Sequence, residues 1–365
     1  VTLRLALVHD WLNQRGGAED VLEALVRLFP DAPVYTSMYA PDRMPASYRN
    51  WNIRTLWIDR LPGIHSHHQP YLPVYPAAWG QLNLSEYDVV LSNKSGFCHG
   101  FQFGSQTKHV CYCLAPTRYV WRPDDYLARE GVGRAARLAL KPLIAGLRRW
   151  DFAAAQRVTR FIAISTEIQT RIAESYQRPS DIIYPPVSTD RFQPLPDHGD
   201  YFLVVSRLIP YKRIDLAVEA CTALGLSLKV GGTGRDIDRL RGLAGPTVEF
   251  LGFVPDDALP ALMAGCRAFL FPGLEDFGIA PVQAQACGRP VIAFNAGGAR
   301  DTVLHNTTGL LFDEQSVESL SAALTAFDER KFDADVIRAH ALQFDERHFA
   351  RAIRQVVERA AEATP

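Results

Sequence analysis

Short apolar runs alternate with amphipathic helical stretches from one end of this 365-residue chain to the other, and few architectures tolerate that pattern. A run without in-out alternation needs apolar cover on both faces, which a parallel sheet of strand-helix-strand units supplies. Strands are expected at 3–9, 88–92, 109–113 and 160–165, then at 202–206, 227–231, 248–252, 268–272, 290–294 and 309–312. Helices are expected at 18–29, 167–176, 214–224, 235–243, 256–266, 278–287 and 346–362, with Ser165 or Thr166 placed to cap the second of them. Between Tyr184 and Tyr201 the chain turns polar and collects Pro185, Pro186, Pro194, Pro196 and Gly199, so two α/β domains are divided there. At 47% hydrophobic residues the chain can fill both cores.

Charge and cysteine usage remove several function classes. The 39 basic and 40 acidic side chains nearly cancel, so nothing global points to nucleic acid or another polyanion as partner. Cys98, Cys111, Cys113, Cys221, Cys266 and Cys287 are scattered in apolar runs and read as reduced core residues. Cys111 and Cys113 share a strand face, but no second ligand pair has zinc spacing. His65, His67 and His68, Asp124-Asp125 and Asp256-Asp257 are equally poor metal patterns. No secretory apolar region opens the sequence and no run approaches the roughly 20 residues that span a bilayer, so a cytoplasmic enzyme is the simplest expectation. The basic stretch 134–149 reads first as a helix with a packed apolar face and solvated charges. Its second reading is a helix resting on anionic lipid, which would put the enzyme peripherally at the inner face of the plasma membrane.

The most informative local segment is 273–284, Gly-Leu-Glu-Asp-Phe-Gly-Ile-Ala-Pro-Val-Gln-Ala. It sets an acid and glycines where a buried strand becomes a helix, a junction whose free N–H groups and positive dipole end suit a phosphate or sugar oxygen. Upstream, Ser206-Arg207-Leu208-Ile209-Pro210-Tyr211-Lys212 follows another strand and offers a planar guanidinium fork and a compact ammonium. An isolated Arg-x4-Lys reads as two solvated loop cations; its place ahead of the Glu275 segment reverses that reading. The turn Gly231-Gly232-Thr233-Gly234 lets backbone approach a ligand, yet it lacks dinucleotide or Walker spacing, so hydride transfer and ATP hydrolysis lose support.

Together these segments resemble the donor site of the family 4 retaining glycosyltransferases, strongly over 201–312 and moderately at 1–20 and 88–121. The resemblance implies a GT-B fold, two Rossmann-like domains facing a central cleft. Residues 1–190 would form the acceptor-side domain, 191–343 the nucleotide-sugar domain, and 344–365 a helix crossing back to the first. It also implies that Arg207, Lys212 and Glu275 carry the chemistry, the cations holding the departing diphosphate and Glu275 accepting hydrogen bonds from donor hydroxyls. The N–H groups of Phe277, Gly278 and Ile279 would line the sugar and phosphate, with Gly232 and Gly234 near the nucleotide and Phe253 and Val254 beside the base. Gly16 and Gly17 match the family's glycine loop beside the diphosphate and acceptor.

Two positions depart from the family pattern. Gln283 stands where a glutamate usually binds ribose hydroxyls, which implies weaker nucleotide affinity rather than lost chemistry. Leu114 stands where many relatives carry histidine, in the segment 109–121 that resembles bacterial mannosyltransferases of surface-polysaccharide assembly. Arg118 is the remaining candidate there for sugar or phosphate, and Tyr119 and Trp121 read either as a stacking surface or as packing. Asn93, Lys94 and His99 could also edge the site.

The expected partners are a nucleotide-sugar donor, GDP-mannose first and UDP-hexoses second, and a saccharide or lipid-linked saccharide acceptor, with no cofactor and no metal. An epimerase on the same fold and a non-catalytic nucleotide-sugar binder are the alternatives.

Overall fold

The computed structural model describes residues 3–123 and 133–362, and its chain divides into two compact units. The first comprises Val1–Tyr184 with Phe349–Pro365, the second Pro185–His348. The expected divisions at 190/191 and 343/344 therefore move to 184/185 and 348/349. The reason is a backbone clasp: Val187 N–H donates to Phe344 O (3.1 Å) and Glu346 N–H to Val187 O (3.1 Å), tying both junctions to the second unit. Helix Glu346–Glu362 buries Phe349, Ile353, Val356 and Val357, and from Phe349 onward it belongs to the first unit, with the Phe349 ring 5.5 Å from that of Tyr112.

The first unit holds a seven-stranded sheet in the order β3-β2-β1-β4-β5-β6-β7. Its strands are β1 Leu5–His9, β2 Val34–Thr36, β3 Ile53–Thr55, β4 Val89–Lys94, β5 Lys108–Cys113, β6 Arg160–Ala163 and β7 Ser180–Ile182. The second holds β8 Phe202–Val205, β9 Leu228–Gly231, β10 Val248–Gly252, β11 Ala268–Phe271, β12 Val291–Phe294 and β13 Gly309–Phe312, in the order β10-β9-β8-β11-β12-β13. Every paired neighbour is parallel. Counted within each unit, both sheets open with the 3-2-1-4-5-6 order of a doubly wound Rossmann sheet. Strand order reverses between β1 and β4, and between β8 and β11. Loops leaving those strand ends on either side splay apart and leave a crevice where such sheets bind ligands.

The apolar runs become strands because both faces are covered: all five residues of β1 and all six of β4 are buried. In the second unit Val204, Val230, Leu270 and Ile292 meet Ala217, Ala220 and Cys221 of helix Ile214–Leu224 in one core. Ser165 is the cap of helix Thr166–Tyr176, its hydroxyl accepting from Ile168 N–H (3.2 Å). Two helices start late: Ile237–Leu243, because Asp236 N–H is spent on Leu208 O (3.0 Å), and Leu259–Ala264, which opens with Pro260 in its first turn. All six cysteines are free and buried, and burial pushes the Cys221, Cys266 and Cys287 thiols up to about 12.

Helix Arg134–Gln156 corrects the expectation of a packed apolar face. Leu147 is buried, but Leu138 is 64% and Leu143 37% exposed. We predict that Leu147→Ala lowers the unfolding free energy by about 2–4 kcal/mol while Leu138→Ser changes it by less than about 0.5 kcal/mol, as read by urea denaturation. Equal losses in the two variants would show the helix packed along its whole length.

Candidate functional site

The second unit gathers its expected site residues at the crevice between β8 and β11. The loop after β8 carries Arg207 and Lys212; the loop after β11 carries Glu275 and leads into helix Ile279–Ala286. The Lys212 ammonium and the Glu275 carboxylate form an ion pair across the reversal point. Their side chains are 15% and 20% exposed, and with Ser206 and Gly273 they line one recess. Arg207 does not line that recess; it stands exposed on the adjoining loop, five residues before Lys212. The arrangement offers an ammonium poised beside a carboxylate that can also accept hydroxyl protons, at the open end of a parallel sheet.

Close backbone contact holds these loops in place. A Cβ on Gly232 would collide with the Ser206 carbonyl, and the residue has φ +125°, a conformation that side chains rarely adopt. Leu208 N–H donates to Thr233 O (2.9 Å) across the same contact. Gly232 and Gly234 are thus required by the chain's own packing against 206–208, where the sequence suggested room for a nucleotide. The sequence reading missed Gly298, whose N–H donates to Glu275 O (2.9 Å) and whose Cβ position is filled by the Phe277 backbone. Its signal was the pair Gly297-Gly298 just beyond β12. The Phe277 ring is buried against Phe344 (5.7 Å), so only its backbone faces the helix start. Gly278 and Ile279 follow there, half-buried, and Gln283 lies one turn on and half-buried. Phe253, at the end of β10, is 74% exposed, while Val254 packs on Gly231.

In the first unit the corresponding crevice between β1 and β4 is clasped by a residue that the sequence did not single out. The Asp10 carboxylate accepts from the N–H groups of Ser95 (2.6 Å), Gly96 (2.6 Å) and Cys98 (2.8 Å). Beside it, Asn93 donates to Ala18 O (2.7 Å) and to His9 Nδ1 (3.2 Å), leaving His9 Nε2–H for the buried Glu19 (3.3 Å). That chain anchors the start of helix Gly17–Leu28, where Gly16 and Gly17 are exposed. Unlike Gly232, Gly16 is not demanded by packing: its backbone is extended and a Cβ would meet only Glu19 Oε2, at 3.5 Å.

Asn93, Lys94 and His99 are wholly buried rather than at the edge of a site. Lys94 Nζ donates to Ala115 O and Thr117 Oγ1 (3.2 Å each). The Asp151 carboxylate takes Trp121 Nε1–H (2.7 Å) and the Tyr176 hydroxyl (2.8 Å), with Thr117 Oγ1 at 2.9 Å. This network fixes the short helix Arg118–Trp121, so Trp121 is an anchored packing residue, and Tyr119 packs edge-on against Phe97 (5.4 Å). Arg118 stays exposed and lines a recess with Trp121 and Arg122. Leu114, half-buried, donates its N–H to Lys94 O (2.8 Å). His65 pairs with Asp59 (2.7 Å) and His68 lies on Trp11 (5.0 Å). Among the described residues no group of three potential ligands could hold a metal ion. Asp124 and Asp125 lie outside the described residues.

Several known proteins share this fold. Anabaena HepE, solved with UDP and glucose, superposes with a TM-score of 0.70 at 21% identity, over 98% of this chain and 100% of that one. Sucrose-phosphate synthase of Thermosynechococcus elongatus gives 0.72 at 18% identity, over 98% and 100%. These likenesses define the class of fold, the GT-B glycosyltransferase architecture with two Rossmann-like units. Residues 188–341 match the family model of glycosyl transferases, group 1. A GDP-mannose-dependent alpha-(1-6)-phosphatidylinositol monomannoside mannosyltransferase of Mycobacterium tuberculosis is 35% identical over 44% of this chain and 50% of that protein. O-antigen chain mannosyltransferase B of Escherichia coli is 30% identical over 33% of this chain and 35% of that protein. The chain spans about half the length, or less, of these curated relatives. In the stretches they share, the chain is similar to group 1 glycosyl transferases and to bacterial mannosyltransferases.

Two predictions follow from the packing. Gly232→Ala should cost more than about 2 kcal/mol of stability by chemical denaturation, whereas Gly16→Ala should leave stability within about 0.5 kcal/mol of the parent. A tolerant Gly232 would contradict the clasp. Burial, with Lys94 nearby, holds the His99 imidazole well below its ordinary 6.5, and burial does the same for His109. Below pH 6.5 the unfolded chain binds protons that the folded one refuses, so this stability is complete above 6.5 and lost as pH falls. The unfolding free energy should decline by up to about 1.4 kcal/mol per pH unit for each histidine. His99→Phe should flatten a urea-midpoint profile between pH 7.5 and 5; an unchanged slope would place the titration elsewhere.

Proposed function

We propose that this chain transfers a hexosyl group, mannose first, from a nucleoside diphosphate sugar to a saccharide or lipid-linked saccharide acceptor. The observation that carries the reading is the Lys212–Glu275 pair at the β8/β11 reversal point. Lys212 and Arg207 would neutralise the diphosphate as the anomeric C–O bond breaks. The acceptor hydroxyl oxygen forms the new bond on the same face of the sugar, with retention, and its proton passes to the leaving phosphate oxygen. Glu275 would accept hydrogen bonds from donor hydroxyls and so fix the ring. The N–H groups at the start of helix Ile279–Ala286 would hold sugar and phosphate oxygens.

Phe253, an exposed aromatic at the end of β10, suits a nucleobase, with Val254 beside it. Gln283 would meet the ribose through its amide. In the first unit, Gly16 and Gly17 would admit diphosphate or acceptor where no packing demand explains Gly16. The mannosyltransferase relatives favour GDP-mannose over UDP-hexoses as donor. No cofactor or metal enters the reaction, since fixed cations cover the leaving charge. Peripheral contact with the cytoplasmic face of a membrane, through helix Arg134–Gln156, would suit a lipid-linked acceptor.

Nucleotide release measured over GDP- and UDP-sugars with several acceptors tests the reading. Lys212→Ala and Glu275→Ala should each lower kcat by about 10²–10³ without unfolding the protein, and EDTA should leave the rate unchanged. Gln283→Glu should tighten donor binding roughly fivefold by restoring a charge-assisted bond. Full turnover in the Lys212 variant would remove the proposed chemistry from this crevice.

A further inference from the structure

The carboxyl end of the first sheet carries a row of aromatic side chains that runs away from the β1/β4 crevice. His9, Thr36 and Thr55 stand side by side in register at the ends of β1, β2 and β3. Trp11, Tyr39 and Trp57 follow two or three residues beyond them. The backbone stays paired as far as that row: Leu12 N–H donates to Met38 O (2.9 Å), Ala40 N–H to Leu12 O (2.8 Å) and Leu56 N–H to Thr36 O (3.0 Å). Neighbouring strands lie about 4.8 Å apart, so the row extends roughly 10 Å from β1 to the sheet edge at β3. Each step is close to the rise of one hexose ring in a glycan chain. Trp11 and Tyr39 are half-buried, whereas Trp57 is 42% exposed, more than any other described tryptophan.

Polar groups accompany the rings. Asp59 Oδ1 accepts from Tyr39 N–H (3.0 Å) and pairs with His65 Nε2 (2.7 Å). The His65 carbonyl in turn takes Asn13 Nδ2–H (3.1 Å) and Arg43 Nη1–H (2.7 Å). Two polar atoms of these same loops find no hydrogen-bond partner among the described residues: Asn13 Oδ1, on a residue only 8% exposed, and the Tyr39 hydroxyl. Shielded polar atoms are normally satisfied, and a hydroxyl group, which donates and accepts, suits both. An apolar ligand would leave the two unsatisfied, and an anionic one would meet the Asp59 carboxylate. A neutral sugar, with apolar C–H faces and hydroxyl edges, matches aromatic rings set among an amide, a carboxylate and an imidazole.

We propose that this rim binds an oligosaccharide of at least three hexose units, the first at the β1/β4 crevice and the third on Trp57. Its role as acceptor rests on the transferase reading; the glycan site rests on the rim itself. The substrate class it implies is a growing glycan chain, held through sugars that do not react, rather than a single sugar on a carrier.

Ligand-observed NMR titration of the full chain tests this, using mannose and mannotriose beside glucose and maltotriose. One of the two trisaccharides should bind about tenfold more tightly than its monosaccharide, the gain expected from one or two further ring contacts. Trp57→Ala should remove that advantage, and Trp57→Phe should keep part of it. Tyr39→Phe, which deletes only a hydroxyl, should weaken the trisaccharide a few-fold. Trp57 is exposed and Tyr39→Phe keeps its ring, so both positions tolerate replacement, and an unchanged urea midpoint checks that each variant is folded. A trisaccharide that binds no better than its monosaccharide in both series overturns the site, as does an advantage that survives Trp57→Ala or ignores Tyr39→Phe. Because binding is read without donor or turnover, a chain that holds the trisaccharide here yet transfers no sugar keeps this site and loses only the transferase reading.

Discussion

An ammonium and a carboxylate held together where a parallel sheet reverses its strand order form the constraint on which the second unit depends. Lys212 comes from the loop after β8 and Glu275 from the loop after β11, and topology alone would let those loops splay apart. Their ion pair counters the splay, and removing either partner would leave a largely desolvated charge at a cost of about 1–3 kcal/mol, less than for a fully buried pair. The tight approach of Gly232 to Ser206 and of Gly298 to the Glu275–Phe277 backbone narrows the same loops from both sides. The result is charge presented on a rigid rim, which is what stabilising a departing diphosphate requires.

The first unit solves the same topological problem with different chemistry. Asp10 after β1 takes three backbone N–H groups from the loop after β4, and so joins the two sides of its reversal point without a cation. Deeper in, the Lys94 ammonium and the Asp151 carboxylate share Thr117 as a common neighbour. Buried charges survive only when hydrogen-bonded in this way. Their joint effect is to fix the turn that ends in Arg118, so that side chain and Trp121 leave the core in a defined direction. Each unit therefore spends buried polar interactions on shaping the loops at its strand ends.

Much of this was legible in the sequence, because long apolar runs and glycine-rich strand ends have few structural solutions. The runs at β4, β5 and β11 gave strands to within two residues at each end, and the Glu275 and Lys212 segments were found on the strands that flank the reversal. Strands β2, β3 and β7 were missed because three residues carry no period to detect. Long-range polar partnerships were also hidden. Asp10, Asp151 and Gly298 act on residues that are distant in sequence, and no local pattern marks them. Lys94 and His99 misled because a charged or polar residue at a strand end reads as exposed, whereas here the turn at 114–121 folds over Lys94, and Trp150, Asp151 and Tyr176 cover His99. The stripe on helix Arg134–Gln156 misled in the opposite sense: its period was read correctly, but periodicity says nothing of whether a partner covers the face.

A crystal structure with GDP-mannose or a UDP-hexose bound tests the central claim most directly. The account predicts diphosphate oxygens within about 3 Å of the Lys212 ammonium, the Arg207 guanidinium alongside, and sugar hydroxyls on Glu275. A nucleotide sugar seated away from the β8/β11 reversal, with the Lys212–Glu275 pair undisturbed and in contact with no ligand atom, would contradict it.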